Sequence, residues 1–206
     1  MLKLDLPPQV TTASPADWRQ IGDITAEAFS EDPINRWIFG TDAAIRATFR
    51  QLARDMYLPE GICHQIGDDA ATMWALSETR HGLTSFQTFR LVLSLLSKGS
   101  KGTVKRALKA GEIMQKYHPT ERHLYLFTIG TRKAARGTGL GKTILRPMLE
   151  AADRAGLPCY LENSNPANSG FYMSHGFERM KLFEVGEGSP QMEAMWREAK
   201  EKIYEF

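Results

Sequence analysis

Read along the chain, apolar positions recur at helical spacing, switch to strand-like runs, and switch back several times. Ser14, Pro15 and Asp17 announce a first helix, with the cap residue, the favoured first-turn proline and an acid three residues on. Trp18, Ile21, Ala28 and Phe29 then share one face, and Pro33 is expected to end the helix in the loop Ser30-Glu31-Asp32-Pro33. Ile45, Phe49, Leu52 and Met56 predict a second helix over 42–57. Two short strands, 62–66 and 71–76, flank the turn Gly67-Asp68-Asp69. Residues 84–117 read as two helical pieces broken at Gly99-Ser100. Residues 123–129 are almost continuously apolar, as in a strand covered on both faces. A helix follows over 138–155, stopped by Gly156 and Pro158. Then come a strand over 159–162, a short helix opened by Asn165-Pro166 and closed by Gly176, and two strands, 177–183 and 192–196, expected to pair antiparallel.

A net charge of +2 gives no case for nucleic acid or a membrane surface, so neither is an expected partner. The basic cluster Lys101, Lys105, Arg106 and Lys109 reads first as a solvated helix face. Cys63 and Cys159 are too far apart for a metal-ligand pair, and no metal is expected. The start of the chain lacks the apolar core of a signal peptide, and no run approaches a membrane span. A cytoplasmic protein is the expectation. The 206 residues show no repeat or linker, so a single domain over 1–206 is expected.

The segment Arg136-Gly137-Thr138-Gly139-Leu140-Gly141-Lys142 lies between a buried strand and an amphipathic helix. Glycines let backbone amides approach an anion, and a helix N-terminus favours negative charge, so the unit reads as a phosphate cradle. It is not a Walker A loop, because Arg136 stands where that pattern needs glycine. Nor is it the dinucleotide fingerprint, since the spacing is G-x-G-x-G.

Arg136-x-x-Gly139-x-Gly141 resembles the R/Q-x-x-G-x-G/A pyrophosphate loop of the GNAT acetyltransferases. Asn168-Ser169-Gly170-Phe171-Tyr172, followed by Gly176-Phe177, resembles the second cofactor motif of that family, and Leu161-Glu162-Asn163-Ser164 its fifth strand. The likeness covers about residues 121–197. Asp32-Pro33 and the strand through Trp74 resemble a bacterial branch that includes puromycin-type enzymes. Two positions depart from that branch: Thr131 replaces its usual valine and Lys133 its usual proline.

The resemblance implies a mixed α/β fold: a central, mostly antiparallel sheet with one splayed parallel strand pair and helices on both faces. It implies acetyl-CoA as co-substrate and direct attack in a ternary complex, with a primary amine, most simply of a small molecule, as acceptor. The pantetheine arm would pair with the backbone of Ile129, Gly130 and Thr131. The amides of Gly137, Thr138, Gly139, Leu140, Gly141 and Lys142, with Arg136, would hold the pyrophosphate, and Phe171 and Asn168 would border the arm. Asn168 could equally cap its local helix. A backbone N–H near Ile129 or Gly130 could polarise the thioester carbonyl. Tyr172 stands where the family places its general acid; its plain alternative is a core tyrosine. Glu31, Glu78, His123 and Glu162 are the candidate bases, with Glu162 foremost as base or acceptor anchor, or else as a strand-end cap. The loop near 30–40 and the helices of 84–117 would wall the acceptor pocket. Transfer to a protein lysine or N-terminus, and a non-catalytic acyl-CoA-binding regulator, stay open as alternatives. A homodimer is a further possibility.

Overall fold

The computed structural model describes residues 2–79 and 82–200; Met1 and residues 201–206, the two ends of the expected single domain, lie outside them. A seven-stranded sheet runs in the order β1 (Thr11–Thr12), β2 (Ile62–Ile66), β3 (Ala70–Leu76), β4 (Leu124–Thr131), β5 (Cys159–Asn163), β7 (Gln191–Arg197), β6 (Glu178–Glu184). All neighbours are antiparallel except β4 and β5. The expected mixed sheet is therefore present, and the closing hairpin is inserted so that β7, not β6, lies beside β5.

Alternation along the strands sorts side chains onto two faces. One face carries Met73, Tyr125, Tyr160 and Ala194 and is covered by α1 (Trp18–Ala28), α2 (Pro33–Phe39), α3 (Asp42–Leu52), α5 (Ser85–Lys98) and α6 (Thr103–Tyr117). A π turn, Ala53–Tyr57, and the short α4 (Leu58–Glu60) extend α3, so the helix expected over 42–57 is real but changes pitch at its end. The other face carries Trp74, Leu126, Leu161 and Met195. It packs on α7 (Leu140–Ala155) and α8 (Ser169–Ser174).

One local expectation is corrected. Pro33 does not terminate a helix; α1 already stops at Ala28, and Pro33 opens α2. Proline lacks the N–H that a first-turn position leaves unused, and the Asp32 carboxylate accepts the Asn35 N–H at 2.9 Å as a cap. The segment expected as a loop near 30–40 is thus mostly helix.

Two irregularities shape the centre of the sheet. Between the pairs Trp74↔Leu126 and Met73↔Thr128 the register skips Phe127, a bulge in β4. The parallel pairing of β4 with β5 ends at Leu126↔Leu161, although β4 runs on to Thr131 and β5 to Asn163. Beyond that point the two strands separate, which leaves one edge of residues 127–131 unpaired.

Candidate functional site

A cleft of about 580 Å³ opens where β4 parts from β5. Ile129, Gly130 and Thr131 form one wall, and the loop ahead of α7 forms the floor. Asn168, Phe171 and Tyr172 of the α8 region form the opposite wall, and Phe29 and Asp32 close the end near α1. Of the residues expected at a cofactor, Ile129, Gly130, Thr131, Arg136, Gly137, Gly139, Leu140, Gly141, Lys142, Asn168, Phe171 and Tyr172 all line this one space. Thr138 does not line it; its hydroxyl instead donates to the Ala135 carbonyl at 2.7 Å.

The floor is built by glycine. Gly137 and Gly139 have φ of 80° and 86°, a region costly for any residue with a Cβ. The first bond of α7 runs from the Thr143 N–H to the Gly139 carbonyl at 3.0 Å. The N–H groups of Leu140, Gly141 and Lys142 therefore precede the helical ladder and have no acceptor within it. They stand at the positive end of a 16-residue helix. A phosphate-bearing ligand fits such a floor, and the unpaired edge of β4 fits an amide-bearing chain that needs backbone partners.

Packing holds these walls in place. A Cβ on Gly130 would come within 2.8 Å of the Ala28 Cβ, so glycine there lets α1 lie directly on β4. Glu27 of α1 pairs with Arg132 at 2.5 Å and accepts the Lys133 N–H at 3.0 Å. A proline at 133 could not donate that bond, which gives a local reason for the departure noted at this position. Glu193 accepts from Asn163 at 2.9 Å and from Ser169 at 2.6 Å, and it pairs with Arg179, fixing the start of α8 to the sheet.

Tyr172 is 7% exposed, with its ring against Phe171 and Phe177. Burial first, and the Asp32 carboxylate second, raise its phenol well above the ordinary tyrosine range. No hydrogen bond among the described residues ends on its hydroxyl. Asn168 precedes α8 without any side-chain capping bond, whereas Asn165 accepts the Ala167 N–H at 3.1 Å. Asn165 thus caps the 3₁₀ turn Pro166–Asn168 that leads into α8, and Asn168 lines the cleft.

Asp32 did not figure among the candidate bases. It is 5% exposed, accepts the Ser164 hydroxyl at 2.6 Å and the Asn35 amide at 2.8 Å, and shares the cleft with Tyr172. Burial lifts its carboxyl above the usual range, against the pull of those hydrogen bonds. The available sequence signal was an aspartate before a proline, which reads as a cap; Ser164 lies 132 residues away.

Glu162 lies outside the cleft. It is the first residue of β5 beyond the last pair with β4, and its side chain is 2% exposed among Tyr125 and His118 on the opposite face. The Tyr125 hydroxyl donates to Oε2 at 2.6 Å, and His118 Nδ1 lies 3.5 Å from Oε1. The other candidates are elsewhere. Glu31 is exposed and pairs with Lys133 at 2.9 Å, Glu78 pairs with Arg122 at 2.6 Å, and His123 is buried with Nδ1 on the Glu121 carbonyl at 2.7 Å. Among the described residues no group of acids, histidines and cysteines is arranged to hold a metal ion.

The sequence matches the acetyltransferase (GNAT) domain family over residues 104–179, which spans β4, the glycine loop, α7, β5 and α8. The chain carries a GNAT acetyltransferase domain. It is an acyltransferase, and the splayed pair and glycine floor are the parts of the GNAT domain just described. Solved structures agree over nearly the whole length. An HPA2-type histone acetyltransferase and related acetyltransferase from Corynebacterium glutamicum is 25% identical, with 95% of this chain and 98% of that chain covered at a TM-score of 0.66. Arylalkylamine N-acetyltransferase 2 from Aedes aegypti is 13% identical, with 93% and 98% covered at 0.58. Ard1 from Thermoplasma volcanium is 12% identical, with 93% and 97% covered at 0.53. The last two share the fold. No helix among the described residues is long and apolar enough to cross a membrane.

Proposed function

We propose that the whole chain is one catalytic domain that transfers an acetyl group from acetyl-CoA to a primary amine of a small molecule, in a ternary complex in the cytoplasm. The observation that carries this reading is the convergence of the glycine floor, the unpaired edge of β4 and Tyr172 on one cleft. The amides of Gly137 and of Gly139 to Lys142, with Arg136, would hold the pyrophosphate, and Ile129, Gly130 and Thr131 would offer backbone partners to the pantetheine arm. When bound, acetyl-CoA supplies an acetyl thioester, whose C–S bond breaks as the amine nitrogen forms the new C–N bond.

The residues of the chain manage the protons. A backbone N–H at the β4 edge withdraws electron density from the carbonyl oxygen. Tyr172, kept protonated by burial and by Asp32, gives its hydroxyl proton to the departing sulfur. Asp32 is the carboxylate in the same cleft and takes the proton released by the amine, with Ser164 holding its other oxygen. Glu162, buried outside the cleft where the Tyr125 hydroxyl donates to it, takes no part in the transfer.

Two measurements test the reading. Acetyl-CoA should bind by titration calorimetry and raise the melting temperature. A panel of small amines and of peptides, followed by thiol release, should show stimulation by small amines. No acetyl-CoA binding at millimolar concentration would end the proposal. Binding with no stimulation by any acceptor would favour a regulator, and stimulation only by peptides a protein acetyltransferase.

A further inference from the structure

Helix α5 buries little of what it carries. Leu95 is its one fully buried residue, whereas Phe86, Phe89, Leu93 and Leu96 are each between 50 and 68% exposed. Singly, exposed apolar residues need no explanation; four large ones on a single helix do. Their spacing is three, four and three residues. At about 100° per residue they fall within a stripe roughly 80° wide and about 15 Å long. This is the a/d seam of two consecutive heptads, narrower than the broad apolar face of a helix lying in a membrane surface.

We infer that this seam is a homodimer interface, in which α5 packs antiparallel against α5 of a second copy about a two-fold axis passing between Phe89 and Leu93. Self-complementarity is the first argument. An antiparallel pair sets Phe86 against Leu96 of the other copy and Phe89 against Leu93, so each ring meets a smaller aliphatic side chain. The positions beside the seam are the second. Ser85, Val92 and Ser97 are neutral, and in the antiparallel register Arg90, which lies over its own Phe86 ring at 5.8 Å and 3.9 Å from Asp55, falls opposite Val92 of the other copy and not opposite a second charge. Area is the third. The four seam residues offer roughly 450 Å² per copy, about half of the ~800 Å² a standard interface takes from each partner.

Charge supplies a way to tell this partner from another. Residues 84–117 hold seven lysines and arginines against one acid, Glu112, a net +6 in a chain whose total is +2. Pairing two such segments is opposed by long-range repulsion, which salt screens. A dimer through α5 therefore tightens as salt rises, whereas docking on an anionic membrane or acidic protein weakens.

Sedimentation velocity of the full chain across a wide concentration range should show a monomer–dimer equilibrium that shifts toward dimer with added sodium chloride. Leu93→Glu, at a half-exposed site, should leave the melting temperature of the dilute monomer unchanged and weaken association by about a hundredfold, because each dimer carries the change twice. Mixing Phe89→Glu with Leu93→Lys should restore association, since only the antiparallel register sets those positions opposite each other. A chain monomeric at every concentration and salt would overturn the inference. So would a dimer indifferent to Leu93→Glu, a mixture that fails to associate, or an α5-dependent attachment to phosphatidylglycerol vesicles that salt dissolves.

Discussion

Replacing Tyr172 with phenylalanine removes one oxygen and leaves the rest of the site standing. The ring keeps its neighbours, with Phe171 and Phe177 at centroid distances of 5.4 and 6.1 Å. The Tyr172 carbonyl still accepts the N–H groups of His175 and Phe177, so the end of α8 is unaffected. Because no hydrogen bond among the described residues ends on the hydroxyl, its loss forfeits none of the roughly 1 kcal/mol that a paired buried hydroxyl contributes. Folding stability should change by less than about 0.5 kcal/mol. Turnover should fall by about 10² to 10⁴, or roughly 3–5 kcal/mol of barrier, the range for losing a general acid. Steady-state thiol release, calorimetry with acetyl-CoA and a melting curve on the one variant read the three quantities. Burial and Asp32 raise the phenol above its ordinary value, so the wild-type rate should show no Tyr172 limb at any pH below about 10. Turnover within a few-fold of wild type would refute the assignment. A loss of acetyl-CoA affinity as large as the loss of rate would mark Tyr172 as a binding residue.

Other expectations concern the scaffold. Gly130→Ala should destabilise by about 1–3 kcal/mol, because its Cβ would sit 2.8 Å from that of Ala28. Urea unfolding should show Ala28→Gly partly reversing the loss, and simple additivity of the two changes would mean that α1 does not rest on β4 there. His64 is fully buried on β2, and burial pulls its imidazole down to about 4. The unfolded chain takes up that proton near pH 6.5, so His64 leaves stability intact above that value and removes up to about 3 kcal/mol as pH falls toward 4. His64→Leu should flatten that slope in unfolding experiments, and an unchanged slope would place the acid sensitivity elsewhere.

Local signals carried the elements and much of the cleft. The Ser14–Asp17 cap, the Gly67 turn, the Gly99 break and the glycines ahead of α7 act through their own backbone torsions and nearest neighbours, so a stretch of a dozen residues suffices to reveal them. The same holds for Asn168 to Tyr172, whose spacing places them on one helical face. Pro33 is ambiguous in the sequence because a proline can close one helix or open another, and the choice rests on whether Asp32 is positioned to cap. Only tertiary packing decided that β7 lies between β5 and β6, and that β4 and β5 part after Leu126 and Leu161. It also brought Asp32 to Ser164 and Tyr172 and sent Glu162 to the opposite face. These are contacts between segments far apart in the chain, where no local preference distinguishes one partner from another and the burial of the shared core selects among them.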